Sequence, residues 1–253
     1  MTNIILNGCN GKMGSVITEL VSHDNDCKIV AGFDINDFIK QDYPVYTDIS
    51  KCTEKADVII DFSHPSALDG LLNYALETNT AIIEATTGLS EEQKGKLISA
   101  SEHIPVFMSA NMSLGINLII NLAKKATMLL GDDFDIEIIE KHHNQKIDAP
   151  SGTALAIADE ISSVLKNPPQ YVYDRHTKRT KRSKNEIGLH AVRGGTIVGE
   201  HEVIFAGHNE VITLSHSAQS KEVFAAGAIK AAKFLKGKPQ GYYSMTDLVN
   251  SID

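Results

Sequence analysis

Short apolar runs recur through the first part of the chain, at Asn3–Asn7, Lys28–Asp34, Ala56–Phe62, Thr80–Glu84 and Pro105–Ala110. Runs of this length, rich in Ile and Val and closed by turn residues, predict strands buried on both faces. Between them, Lys12–His23, Pro65–Glu77 and Glu91–Glu102 carry helical spacing; in the first, Met13, Val16, Ile17 and Leu20 share one side. Alternating strands and helices joined by short turns predict a parallel, doubly wound sheet of Rossmann type.

The pattern then changes. Ser113 reads as the N-cap of a long helix whose apolar face is Leu118, Ile119, Leu122, Ala126, Leu129 and Leu130. After Gly131-Asp-Asp133, strands are expected at Asp135–Lys141, Gly188–Val192, Gly195–Ala206 and Glu210–Ser217, with a single helix at Thr153–Leu165. So few intervening helices predict an α+β domain with a mixed or antiparallel sheet. A last helix, Glu222–Lys236, ended by Gly237, is expected to return to the first domain. The expected division is residues 1–112, completed by 222–253, and residues 113–221.

At 253 residues the chain has room for two modest cores, and 42% hydrophobic with 22% charged residues is ordinary for a globular protein. No apolar run is expected to reach the ~20 residues of a membrane span, and the N-terminus enters a strand pattern without the layout of a signal peptide. Cys9, Cys27 and Cys52 have no metal-ligand spacing, so free thiols and a cytoplasmic location are expected. A net charge of −8 offers nucleic acid no general attraction. Arg175, Lys178, Arg179, Lys181, Arg182 and Lys184 form one acid-free basic segment. It reads as a solvated loop or as a closure near an anionic ligand. A nucleic-acid site ranks third, because no aromatic residue interrupts the run.

Gly8-Cys9-Asn10-Gly11-Lys12-Met13-Gly14 follows the first strand and opens the first helix. Glycines there let the backbone turn tightly and approach a pyrophosphate, whose charge the helix N–H groups stabilise. Asn10 is available for an unusual backbone angle. Asp34 ends the second strand, where an acidic side chain accepts hydrogen bonds from an adenosine ribose. Its carboxylate would repel a 2′-phosphate, and neighbouring Ile35 supplies no counter-charge. Lys12 remains within reach of such a phosphate, so NADH is favoured without excluding NADPH.

The densest chemistry lies in Glu140-Lys-His-His-Asn-Gln-Lys-Ile-Asp-Ala-Pro-Ser-Gly-Thr-Ala154, between a strand and a helix. Proton donors and backbone N–H groups held there suit an anionic small molecule that must be gripped and protonated. His142 and His143 read as a metal pair less well, since adjacent strand residues point apart and no third ligand stands at a recognisable spacing. No metal is expected.

These two motifs, with Ala85-Thr-Thr-Gly88, Ser109-Ala-Asn-Met-Ser-Leu-Gly115, Arg193-Gly-Gly-Thr-Ile-Val-Gly-Glu-His201 and Gly241-Tyr-Tyr-Ser-Met-Thr-Asp247, resemble the dihydrodipicolinate reductase family over nearly the whole chain. The resemblance implies an NAD(P)H-dependent reductase of lysine and diaminopimelate biosynthesis that acts on a small cyclic dicarboxylate. It implies dinucleotide contacts from Gly8 to Met13 and at Asp34, and nicotinamide contacts from Ala85, Thr86 and Thr87 and from Ser109, Ala110, Asn111 and Met112. It further implies His142 and Lys146 as catalytic residues, and His143, Gly152 and Thr153 at the substrate. A homotetramer assembled through the second domain's sheet is implied as well. The family often carries glycine where Ala85 stands and phenylalanine where Met112 stands.

Overall fold

A computed structural model describes residues 1–176 and 179–251 and divides the chain into two compact units, Met1–Ser113 with the chain from Glu222 on, and Leu114–Lys221.

The first unit contains strands β1 (Thr2–Asn7), β2 (Cys27–Phe33), β3 (Val45–Tyr46), β4 (Val58–Asp61), β5 (Ala81–Glu84), β6 (Pro105–Met108) and β12 (Gly241–Tyr243). Its helices are α1 (Lys12–Ser22), α2 (Leu68–Thr78), α3 (Glu91–Ala100), α6 (Glu222–Leu235) and α7 (Met245–Asn250). The strands lie in the order β12-β6-β5-β4-β1-β2-β3, each adjacent pair parallel, which is the doubly wound arrangement. β4 and β5 are buried at every position, as expected of strands covered on both faces. Ile5, Ile59 and Ile82 meet Leu68, Leu71 and Leu97 in one core.

The second unit contains α4 (Leu114–Leu130), β7 (Asp135–His142), α5 (Gly152–Ser162), β8 (Gln170–Val172), β9 (Glu186–Arg193), β10 (Gly199–Ala206) and β11 (Val211–Ala218). Its sheet runs β11-β10-β7-β9-β8 and is mixed: β10 is antiparallel to both β7 and β11, whereas β7, β9 and β8 are parallel. β7 and β10 alternate buried and half-buried positions along their whole length. The buried row of β7 is Ile136, Ile138, Glu140 and His142; that of β10 is Gly199, His201, Val203 and Phe205. Apolar core thus gives way to polar groups at one end of a single sheet face.

Two expectations about α4 change. Its buried side is Ile116, Asn117, Ile119, Ala123 and Thr127, whereas Leu118, Leu122 and Leu129 are exposed. The helix is apolar on two sides, and spacing alone does not say which one a sheet covers. By length and composition Leu114–Asp133 also suffices to cross a membrane, although no such run was expected. One side of it packs on its own unit: Ile119 and Ala123 join the second unit's core, and Lys124 bonds Glu160 of α5 at 2.6 Å, while 28% of the span is buried.

Candidate active site

In the first unit the glycine loop follows β1 directly. Gly8 has φ +76°, and a Cβ there would lie 2.6 Å from the Phe62 carbonyl oxygen, so only glycine fits. This corrects the expectation for Asn10, which is not among the residues with positive φ. Asn10 instead ties the loop down: its side chain donates to Asn36 O and accepts from Gln41 Nε2 at 2.9 Å. Its backbone N–H donates to Asp34 Oδ2 at 3.0 Å, while Asp34 Oδ1 accepts from Asn36 N–H at 3.1 Å. Gly11 caps α1 with no side-chain hydrogen bond to the first turn. A glycine cradle, a helix start without a side-chain cap and an adjacent carboxylate together fit a dinucleotide.

Of the loop residues, Gly11 and Lys12 are exposed, Asn10 and Met13 half-buried, and Cys9 fully buried. Burial above all, and the charge of Asp34 next, push the Cys9 thiol up to about 12. Cys9 therefore offers a ligand only its backbone. Ala85, Thr86 and Thr87 follow β5, and Ser109, Ala110 and Asn111 follow β6, all at the carboxyl ends of the parallel strands. Met112 is buried against Gly227 of α6.

In the second unit the end of β7 organises the site. Glu140 is 0% exposed, yet its carboxyl stays below the usual range. Burial alone would raise it; Arg193, the His142 ring and the Ser151 N–H outweigh that cost. Arg193 grips both carboxylate oxygens at 2.7 Å, one guanidinium nitrogen to each. His142 Nδ1 lies 2.6 Å from Glu140 Oε2, and Ser151 N–H donates to Oε1 at 3.0 Å. An ionised Glu140 accepts the proton on Nδ1, leaving Nε2 as the nitrogen able to exchange one. A Cβ on Gly199 would stand 3.1 Å from that Nε2.

Ser151 caps α5, accepting from Ala154 N–H at 3.1 Å, and lies 3.1 Å from His201 Nε2. The pair is not a nucleophilic triad: His201 Nδ1 is buried without a partner among the described residues, so none of their acids orients the ring. Burial first, then the neighbouring His142, push His201 down to about 4. Gly152 and Thr153 open α5. The intervening connector is pinned where Asn144 N–H donates to Gly195 O at 3.2 Å and Gly194 N–H to His142 O at 2.9 Å. Half-buried His143 lies on this connector, as does Lys146, whose Nζ is 2.8 Å from Asp148 Oδ1.

The site therefore contains groups to which sequence reasoning gave no role: Glu140, Ser151, Arg193 and His201. A signal existed for Glu140, two residues before His142 and so on the same strand face. Arg193 and His201 reach the site through strand pairing, in register with His142 and Glu140 respectively.

The basic segment is divided. Arg182 bonds Glu137, Asp135 and three main-chain carbonyls, and Arg175 bonds Glu137 and Glu186, so both are fastened to their own sheet. Arg179, Lys181 and Lys184 are exposed; Lys178 lies outside the described residues.

Comparison with known proteins supplies the family. Residues 2–112 match the model of the dihydrodipicolinate reductase N-terminus, and residues 115–249 that of its C-terminus. A 4-hydroxy-tetrahydrodipicolinate reductase of Caldanaerobacter subterraneus is 57% identical over 249 residues, 98% of either chain. One from Clostridium tetani is 50% identical over 251 residues, covering 99% of this chain and 98% of its own. The solved dipicolinate-bound dihydrodipicolinate reductase of Paenisporosarcina superposes with TM-score 0.80 at 24% identity, covering 96% of this chain and 97% of its own.

Proposed function

The chain belongs to the dihydrodipicolinate reductase family, and on that premise we infer that it reduces 4-hydroxytetrahydrodipicolinate to tetrahydrodipicolinate, releasing water, in lysine and diaminopimelate biosynthesis. The observation that carries the reading is the buried Glu140–His142 pair, with Arg193 clamping the glutamate.

The first unit's glycine loop, Asp34 and the turns after β5 and β6 would hold the nicotinamide dinucleotide. When bound, that cofactor supplies the hydride. His142 supplies the proton: Glu140 fixes the ring by Nδ1, so Nε2 delivers the proton to the carbanion or enamine left on the substrate after reduction. Lys146 and the start of α5 at Gly152 and Thr153 hold a substrate carboxylate, with His143 beside them. Asp148 already sets a carboxylate against Lys146, which supports this reading. Lys146 also stabilises negative charge as it develops.

NADH is the favoured cofactor, because the Asn10 and Asn36 N–H groups hold the Asp34 carboxylate beside the glycine loop, where it would repel a 2′-phosphate, and exposed Ile35 supplies no counter-charge. Ile35→Arg should move preference toward NADPH by adding a partner for a 2′-phosphate; calorimetry with both cofactors measures the change. We further infer a homotetramer, supported by exposed Val211 and Ile212 on the edge strand β11, and a cytoplasmic location, with which the free Cys9, Cys27 and Cys52 agree. The deciding experiment is oxidation of NADH and NADPH with substrate generated enzymatically in the same cuvette. No oxidation with either cofactor would refute the assignment.

A further inference from the structure

Asp61 and Glu84 end β4 and β5 as registered neighbours, so both side chains leave the sheet on the face of Ile59 and Ile82. Each is 1% exposed. Asp61 Oδ1 accepts from Asn7 Nδ2 at 2.9 Å and from Ser63 N–H at 2.9 Å. Glu84 Oε1 accepts from Thr86 N–H at 2.7 Å. The remaining oxygens, Asp61 Oδ2 and Glu84 Oε2, are buried and receive no donor from the described residues. One proton held between the carboxyls satisfies both and removes one of two like charges. Glu84 is the group to carry it, since Asp61 already has two donors. Burial first and the charge of Asp61 second push Glu84 up to about 8, and burial raises Asp61 as well.

The pair is tied into the loops above it. Asn7 Nδ2 also donates to Ser63 Oγ at 2.9 Å, Ser63 N–H to Thr86 Oγ1 at 3.2 Å, and Ala85 N–H to Asp61 O at 3.0 Å. Phe62, between Asp61 and Ser63, is the residue whose carbonyl backs Gly8.

We propose that Asp61 and Glu84, joined by one shared proton, are positioning residues for the dinucleotide: the protonated pair holds the Ser63 and Thr86 turns in place beside the glycine loop, and ionisation of Glu84 releases them. The proposal rests on the reading that these strand ends bind the cofactor.

The surroundings leave the two carboxyls to titrate against each other. Asn7 on β1 and Met108 on β6 are their uncharged strand neighbours. On the covering helices the buried Leu68, Leu71 and Leu97 are apolar. The charged residues there, Asp69 and Glu77 on α2 and Glu91, Glu92 and Lys96 on α3, are exposed; Lys94 pairs with Glu91. His64, after β4, is exposed and bonded to Ser66. On α6, which packs on the same strands, Glu222 and Lys230 are exposed and Lys233 is held by Asp24 and Asp26.

The test is calorimetric NADH affinity of the whole protein as a function of pH, for wild type and Glu84→Gln, with infrared detection of a protonated carboxyl. The wild-type Kd should be flat through neutrality and rise roughly tenfold per pH unit above the Glu84 transition at about 8. Glu84→Gln keeps a donor for Asp61 Oδ2 at every pH, so it should retain the neutral Kd, lose the alkaline rise and lack the protonated-carboxyl band. A rise that persists in Glu84→Gln overturns the proposal. So does a flat wild-type profile with normal binding, which leaves the cofactor reading standing. Absence of dinucleotide binding by wild type at every pH overturns both. Should Glu84→Gln fail to fold, the wild-type profile and the presence or absence of its carboxyl band still decide.

Discussion

Glu140 and His142 stand two residues apart on β7 with Oε2 and Nδ1 2.6 Å from each other, and both are buried on one face of the sheet. The short bond fixes which imidazole nitrogen carries a proton inward and which remains for chemistry. Replacing His142 by Gln should lower turnover by roughly 10²–10⁴-fold, the usual contribution of a general acid or base. Glu140→Gln should lose much of the same rate while the ring remains present, because the amide no longer fixes the tautomer or balances a charged ring. NADH affinity should be unchanged in both. Combining the two should cost little more than His142→Gln alone, since the groups act as a unit; steady-state kinetics of the three variants checks this.

Lys146 and Asp148 give a second expectation. The Asp148 carboxyl is held below its usual range chiefly by Lys146, so a substrate carboxylate must compete with an internal one. Lys146→Ala should raise KM and lower turnover, because the cation meets charge in both ground and transition states. Asp148→Asn, which removes the competitor, should lower KM instead. Kinetics normalised to folded protein separate these effects from loss of stability.

Much of this was legible in the chain. Two-sided apolar runs at β1, β4 and β5 with helices between them, and the scarcity of helices among the later strands, distinguish the parallel sheet from the mixed one before any contact is known. β3, β8 and β12, of two or three residues each, are too short to carry a period and exist through pairing with longer neighbours. The exposed side of α4 was illegible for the opposite reason: apolar residues lie on both sides of it. His142 and Lys146 are close in sequence and could be read from spacing. Arg193 and His201 arrive from strands more than fifty positions away; they bound a motif that carries the family resemblance, but only strand pairing gives them a place beside Glu140 and His142.

The basic segment should behave as two populations. Arg182, fastened by five hydrogen bonds, is tied to the starts of β7 and β9. Arg182→Ala should cost about 1–3 kcal/mol, because Glu137, Asp135 and the Ile136 and Glu186 carbonyls lose donors in a partly buried place. Removing exposed Arg179 and Lys181 should leave stability within about 0.5 kcal/mol. Their effect, if any, falls on kcat/KM at low ionic strength, where screening is weakest. Urea unfolding and kinetics at two salt concentrations measure both.

His201 sets an acid limit. Its pKa in the folded protein is pushed down to about 4, from 6.5, so as pH falls the unfolded chain takes up the proton first. The stability due to a neutral His201 is fully present above the unfolded pKa and is lost as pH falls toward the folded one, with a slope of at most about 1.4 kcal/mol per pH unit. His201→Gln should flatten that limb of a stability–pH profile. An unchanged limb would assign it to other groups.

The chain leaves the first unit after Ser113 and re-enters it at Glu222. A ribosome therefore completes the second unit, one uninterrupted stretch, before α6 and β12 exist. Until they emerge, β1, β4, β5 and β6 lack the helix that packs on them, and β6 is an open edge where β12 will pair. At ordinary synthesis rates the intervening stretch of about 110 residues takes roughly 5–20 s. For that interval one face of the first unit's sheet has α1 but not α6 over it, and the half that begins later is the first able to close its core.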